Sequence, residues 1–161
     1  MTNAISQVSL QRHRMLESIV TEMPFNQLIG LDFHRVEQGR VELRLDNLAC
    51  LVGNAVHQIL HGGVIAAVLD VVGGCSAIDR YLQVHPDVDL PTVLARAATI
   101  DLHVDYLMPG KGTHFIASAE VVKFGAQITN VRMELKNEKQ KLVAGATGNY
   151  YLAPIPAELS R

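Results

Sequence analysis

The stretch Leu60–Leu82, LHGGVIAAVLDVVGGCSAIDRYL, decides the fold. Val64, Ile65, Ala66, Ala67, Val68 and Leu69 run unbroken into Asp70. Val71 and Val72 resume at once, and Cys75, Ala77 and Ile78 follow. The run is longer than an ordinary strand, and His61-Gly62-Gly63 gives it a flexible entry where backbone N–H groups stay unpaired, so it reads as a helix. A helix apolar on every face is a buried helix. A carboxylate in its middle then stands out, because desolvating a charge is expensive unless it is paired or hydrogen-bonded. Asp70 is therefore the first residue to suspect of chemistry. Gly73-Gly74 costs on the order of 1 kcal/mol of helix propensity per glycine, which implies that another element or a ligand approaches the backbone there. The rival reading is a membrane span of roughly 20 apolar residues. Asp70, Gly73, Gly74, Asp79 and Arg80 interrupt the run and argue against it.

The rest of the chain supplies what such a helix needs. Its 161 residues suit a single domain, 1–161, with one sizeable core. A hydrophobic fraction of 48% excludes a disordered chain. A net charge of −2, from 14 basic and 16 acidic residues, does not advertise a nucleic-acid-binding surface. Cys50 and Cys75 do not form a metal-ligand spacing, and the start, MTNAISQVSL, lacks the pattern of a secretory signal. A reducing cytoplasm is the expected setting.

Before the central helix, residues 6–23 carry Leu10, Met15, Leu16, Ile19, Val20 and Met23 at helical spacing, with Ser6 or Ser9 as cap and Pro24 as stop. Phe25–Ile29 adds one further turn before Gly30. A hairpin signal follows: Leu31, Phe33 and Val36, a turn at Gln38-Gly39, then Val41, Leu43 and Leu45 alternating with charged residues. Asn47–Leu60 reads as loop. After the helix, Gln83–Ala95 is an excursion with a short helix after Pro91. Four strands follow at Ala98–Met108, Thr113–Phe124, Ala126–Lys136 and Lys141–Leu152, and the tail Ala153–Arg161 is an exposed end. Short turns in the second half suggest an antiparallel meander. The fold class is α+β: an antiparallel sheet wrapped around the one helix apolar enough to cover it, with the core over about 25–152.

Several residues are candidates for chemistry. The N-terminus of the central helix offers free N–H groups and the positive end of its dipole, which suit an oxyanion or a polarised carbonyl. Asp70, about two turns further on, addresses the same substrate only if that substrate lies along the helix or a facing chain completes the site. His57 and His61 are four apart, but a metal site needs a third protein ligand, and Gly62-Gly63 interrupts a helix through both. His61 reads as a hydrogen-bonded residue orienting the turn. Asn54 lies in the same loop, where its amide could hold a water or a carbonyl, or serve the turn alone. Asp101, His103 and Asp105 alternate along one strand on what reads as the wet face, and Thr99 has the same parity. Lys111, Lys123, Arg132 and Lys136 are scattered, and contact phosphate only if they converge. Beyond Asp70 the small residues Gly73, Gly74 and Ala77 beside Val71, Val72 and Ile78 leave room for a chain of methylenes, each adding about 0.8 kcal/mol on burial, or permit tight packing.

His61-Gly62-Gly63 followed by Asp70, with a later strand running Thr99-Ile100-Asp101-Leu102-His103-Val104-Asp105-Tyr106-Leu107, resembles the hotdog-fold thioesterases. It is similar to their PaaI-like group and, within it, to the YigI-like branch associated with acyl-CoA thioesters, over roughly residues 20–152. The resemblance implies a hotdog fold and hydrolysis of medium- to long-chain acyl-CoA. It implies that Asp70 is the general base or nucleophile and that the Gly62 N–H polarises the thioester carbonyl. Thr99 would place the attacking water from across a dimer interface. His61, Gly63 and Gly74 are expected against the substrate. The family often has Asn or Gln six residues before the HGG histidine, where this chain has Ala55; Asn54, one residue earlier, is expected to take that role. No cofactor and no metal is implied, nor a nucleic-acid or membrane partner, and the expected assembly is a homodimer or a dimer of dimers. A thiolate leaves readily, its free thiol having a pKa of about 8.5, so one carboxylate and one oxyanion donor suffice. The alternatives are a hotdog hydratase or dehydratase and a non-catalytic acyl-CoA-binding protein.

Overall fold

A computed structural model describes residues 2–37 and 39–152. Gln38 of the expected turn and the tail from Ala153 onward lie outside the described residues. Helix α1 spans Thr2–Glu22. It begins earlier than residue 6, so Ser6 and Ser9 lie inside it rather than at its N-cap. Leu16, Ile19 and Val20 form its buried stripe, while Leu10 and Met23 stay exposed. Pro24 does more than stop α1. It occupies the first turn of α2, Pro24–Ile29, where its missing N–H costs nothing. Gly30 ends α2 with φ 68°, the left-handed cap conformation that glycine adopts most readily.

Strands β1, Leu31–Glu37, and β2, Arg40–Asp46, form the expected antiparallel hairpin. The stretch read as loop contains a 3₁₀ turn at Ala49–Leu51 and a minimal pair of strands, β3 at Val52–Asn54 and β4 at Ile59–Leu60. Helix α3 runs Gly62–Val84. The excursion after it carries α4, Leu90–Leu94, capped by the Asp89 carboxylate accepting from the Thr92 N–H at 2.8 Å. The remaining strands are β5, Ala97–Tyr106; β6, His114–Phe124; β7, Ile128–Asn137; and β8, Leu142–Leu152.

All six long strands join one antiparallel sheet in the order β1-β2-β6-β7-β8-β5. The expected four-strand meander is therefore only three strands long. Strand β5 pairs with β8, not with β6, and forms an edge. The reason lies in the connection after Tyr106. Leu107 and Met108 donate their N–H groups to the Val143 carbonyl, and Gly110 tucks against Leu60 and Ile65 while its carbonyl accepts from the Leu60 N–H at 3.0 Å. Pro109-Gly110 is thus a crossing over the end of the β7–β8 hairpin rather than a tight turn.

The inner face of the sheet packs Val41, Leu43, Leu45, Phe115, Ala117, Val131, Met133 and Leu135 around Ile65, Val68, Leu69 and Val72 of α3. This sheet wrapped on a single long helix is the hotdog arrangement. Helix α3 is long and apolar enough to cross a membrane by length and composition, yet 56% of that stretch is buried inside the protein. It is not buried on every side. The sheet curls around one flank only, and Gly63, Ala66, Ala67, Asp70, Val71 and Gly74 remain half-buried or exposed.

The fully buried carboxylate of α3 is instead Asp79, which is 1% exposed. Its Oδ1 meets the Arg12 guanidinium of α1 at 2.7 Å, and its Oδ2 accepts from Gln83 at 2.6 Å. Burial pushes the Asp79 carboxyl above the usual range, and Arg12 opposes that shift.

Candidate active site

Asp70 sits on the half-exposed flank of α3, and Thr99 of β5 comes to it. The Thr99 hydroxyl donates to Asp70 Oδ1 at 3.0 Å. This contact forms within one chain, whereas the resemblance placed the threonine across a dimer interface. The parity argument also misplaced Thr99. The β5–β8 register slips between Thr99 and Asp101, a bulge that turns the strand over at Ile100. Thr99 consequently faces α3, while Asp101 faces away and binds Asn149, both of its oxygens accepting from the side-chain amide at 3.0–3.1 Å. His103 and Asp105 are exposed on that same outer face.

A second strand residue fixes Asp70 from below. Tyr150 of β8 donates its hydroxyl to the Asp70 backbone carbonyl at 3.1 Å. Burial, reinforced by the nearby Asp70 charge, pushes its ionisation far above the ordinary tyrosine value, so it stays a donor. Gly73 is the reason this ring can reach the helix. A Cβ there would run into Tyr150 and the Met133 sulfur. At Gly74 a Cβ would lie 3.7 Å from Tyr150, an ordinary contact. The two glycines therefore do different things: Gly73 admits Tyr150, and Gly74 lines an open cavity of about 250 Å³. Met23, Ile78, Leu94, Thr99 and Tyr150 complete much of that cavity, so it is largely apolar, and Thr99, which lines it, carries the contact to Asp70. Leu94 brings the excursion after α3 into its wall.

At the other end of α3, the His61 Nδ1 accepts from the Gly63 N–H at 2.9 Å and caps the helix. That acceptance leaves the ring proton on Nε2. Gly62, at the first helical position, has no intrahelical acceptor for its N–H. Its carbonyl accepts from the Tyr106 hydroxyl at 3.0 Å, which steadies this terminus. The Gly63 N–H is already committed to His61. Asn54 Oδ1 accepts from the N–H groups of Val56 and His57, both at 3.1 Å. Its oxygen thus closes a turn, the structural role open to it from the start, and only its amide N–H₂ remains for a ligand. Asp70 is eight residues beyond Gly62, or about 12 Å along the axis. The structure brings Thr99 to Asp70, but it does not bring Gly62, His61 or Asn54 there.

The sequence reading does not single out Tyr150, and Tyr106 enters it only within the quoted strand Thr99–Leu107. The signal was present for Tyr150: a tyrosine at an inward-facing strand position needs a partner for its hydroxyl, and an unexplained helical glycine needs a neighbour.

Comparison with known proteins agrees with this geometry. The model of the thioesterase superfamily matches residues 57–144, from the loop before α3 into β8. The medium/long-chain acyl-CoA thioesterase YigI of Salmonella typhimurium is 41% identical over 137 residues, covering 83% of this chain and 88% of that protein. A solved Shewanella oneidensis protein related to the thioesterase superfamily superposes with a TM-score of 0.82 at 38% identity, covering 87% of this chain and 94% of that one. The Escherichia coli PaaI protein shares the fold, with a TM-score of 0.70 at 19% identity over 88% of this chain and 92% of that one. With the wrapped helix, the HGG entrance and a carboxylate two turns further on, the chain belongs to the thioesterase superfamily.

Proposed function

We propose that this protein hydrolyses medium- to long-chain acyl-CoA thioesters to fatty acid and coenzyme A. The observation that carries the reading is the Thr99–Asp70 pair, whose threonine lines an apolar cavity of about 250 Å³. The relative named for medium/long-chain acyl-CoA at 41% identity supports the same substrate class. Asp70 takes a proton from water as the water oxygen attacks the thioester carbon. Thr99, whose hydroxyl keeps its proton and donates a hydrogen bond to Asp70 Oδ1, presents lone pairs that orient that water. The C–S bond then breaks, and the proton held by Asp70 passes to the leaving thiolate. The acyl chain lies in the cavity against Gly74, Ile78 and Leu94.

The carbonyl oxygen needs donors, and the Gly62 N–H at the positive end of α3 suits it. About 12 Å of helix separates Gly62 from Asp70 in one chain, too far for both to meet one carbonyl group. A second copy placing its own α3 terminus near Asp70 completes the site. The half-exposed flank of α3 and the edge of β5, unpaired among the described residues and with Ile100 exposed on it, support a homodimer or a dimer of dimers. A cytoplasmic setting is part of the same proposal, supported by the free thiols Cys50 and Cys75.

The test is thiol release from acyl-CoAs of increasing chain length. A rise in kcat/KM from acetyl to medium and long chains is expected. A flat profile, or no release from any member, refutes the reading.

A further inference from the structure

Of the scattered basic residues Lys111, Lys123, Arg132 and Lys136, only Lys111 joins a cationic cluster, with Lys139 and Lys141, at a place fixed by the β5–β6 crossing. Because β5 lies at the sheet edge, the connection to β6 must pass over the end of the β7–β8 hairpin, and it brings Lys111 beside the turn that holds Lys139 and Lys141. These three exposed lysines surround a cavity of about 470 Å³ together with Pro109, Thr113 and Glu138. A buried side chain builds the arrangement. Asn137 donates its amide to the Lys111 carbonyl at 2.9 Å, and its oxygen accepts from the N–H groups of Lys139 and Lys141, both at 3.1 Å. One residue therefore fixes the backbone of all three lysines.

Charge pairing separates this cluster from five other cations of the sheet. Arg35, Arg40, Arg44, Arg132 and Lys136 each meet a carboxylate on the outer face. Among the described residues, no carboxylate lies within ion-pair distance of Lys111, Lys139 or Lys141. Glu138, the acid at this cavity, accepts from the Thr113 N–H at 3.2 Å. The cavity is thus a locally cationic site on a chain of net charge −2.

Its position relative to the active site gives it a use. Tyr106 is bonded to Gly62 at the α3 terminus, and Lys111 is five residues further along the same connection, at most about 18 Å even if extended. Coenzyme A joins its thiol to a pyrophosphate and a phosphorylated ribose through a long pantetheine arm. From a thioester carbonyl at Gly62, this connection lies within reach of that arm. Lysines are point-charge donors suited to phosphate oxygens approaching from several directions.

We propose that the cavity ringed by Lys111, Lys139 and Lys141 holds the phosphates of the coenzyme A moiety. This rests on the thioesterase reading above. One substrate molecule then spans two chains, its nucleotide on the protomer that supplies Gly62 and its acyl chain on the protomer that supplies Asp70.

The test compares the full-length protein with its Lys111→Ala, Lys139→Ala, Lys141→Ala triple variant. Titration calorimetry with 3′,5′-ADP, the nucleotide portion of coenzyme A, should show binding that weakens with salt and falls on the order of tenfold in the variant. KM for acyl-CoA should rise by a similar factor at unchanged kcat. Hydrolysis of the matching acyl-pantetheine, which lacks the phosphates, should be the same in both proteins. Equal 3′,5′-ADP affinity in the two proteins, or equal losses on both substrates, overturns the assignment. Nucleotide binding is read without turnover. A protein that hydrolyses nothing yet binds 3′,5′-ADP through these lysines refutes the hydrolase reading and upholds the cavity.

Discussion

Adjacent glycines in α3 should respond oppositely to the same substitution. In Gly73→Ala the new methyl carbon would lie 2.7 Å from the Tyr150 ring and 2.5 Å from the Met133 sulfur. Both neighbours are buried, so neither can swing into solvent. Overpacking of this kind costs about 1–3 kcal/mol. If Tyr150 moves away, its bond to the Asp70 carbonyl is lost as well, at about 1 kcal/mol. The gain in helix propensity, about 1 kcal/mol, offsets part of this. The net loss is about 1–3 kcal/mol, which lowers Tm by about 2–12 °C for a chain of this size. In Gly74→Ala the methyl lies at an ordinary 3.7 Å from Tyr150. The propensity gain then dominates, and Tm rises by about 2–4 °C. That methyl also narrows the acyl cavity, so KM for long-chain substrates rises while short-chain turnover is spared. Differential scanning calorimetry of the two variants decides. A Gly73→Ala protein as stable as the parent, or an equal loss in both, would show that Tyr150 does not depend on Gly73.

Asp70→Asn keeps an acceptor for Thr99 but removes the base, so kcat should fall by about 10²–10⁴ at unchanged Tm; near-normal turnover of the folded variant refutes the role. Asn54→Ala should lose about 1 kcal/mol through the broken turn. Asn54→Asp, which keeps the accepting oxygen, should retain both stability and kcat; a drop in kcat at unchanged Tm would restore a catalytic amide. Burial holds the Asp79 carboxyl above the usual carboxylate range in the folded state, so the folded chain binds its proton more tightly than the unfolded chain does. Stability contributed through Asp79 therefore declines as pH rises from about its unfolded value through its folded value. Denaturant titrations should show wild type losing ground to Asp79→Asn across that window, and a difference that is constant with pH, or of opposite slope, refutes the assignment.

The hotdog frame was legible because a long apolar run flanked by alternating strands admits few packings. The pairing of β5 was not, since Pro109-Gly110 reads locally as a hairpin turn, and only the contacts of Gly110 with Leu60 and Ile65 make it a crossing. Thr99 was named through resemblance while its strand parity argued the other way. A bulge adds one residue to one strand and leaves no mark in an alternating pattern. The inference that a charge inside an apolar helix must be functional picked out Asp70, yet the charge that is truly buried is Asp79. Its partner, Arg12, is 67 positions away on another helix, beyond the reach of periodicity. Gly62 and Asp70 were legible as chemical types, but their separation along one helix points to a second chain that no single sequence displays.

The Arg12–Asp79 pair also ties two positions together in descent. Asp79 lies inside the segment shared across the superfamily, 57–144, and Arg12 lies outside it on α1. A lineage that shortened or discarded α1 while keeping Asp79 would leave an uncompensated charge in its core, at about 3–5 kcal/mol. Members without this first helix should therefore carry an apolar or small residue at the position of Asp79. Those that keep it should change the two sites in concert.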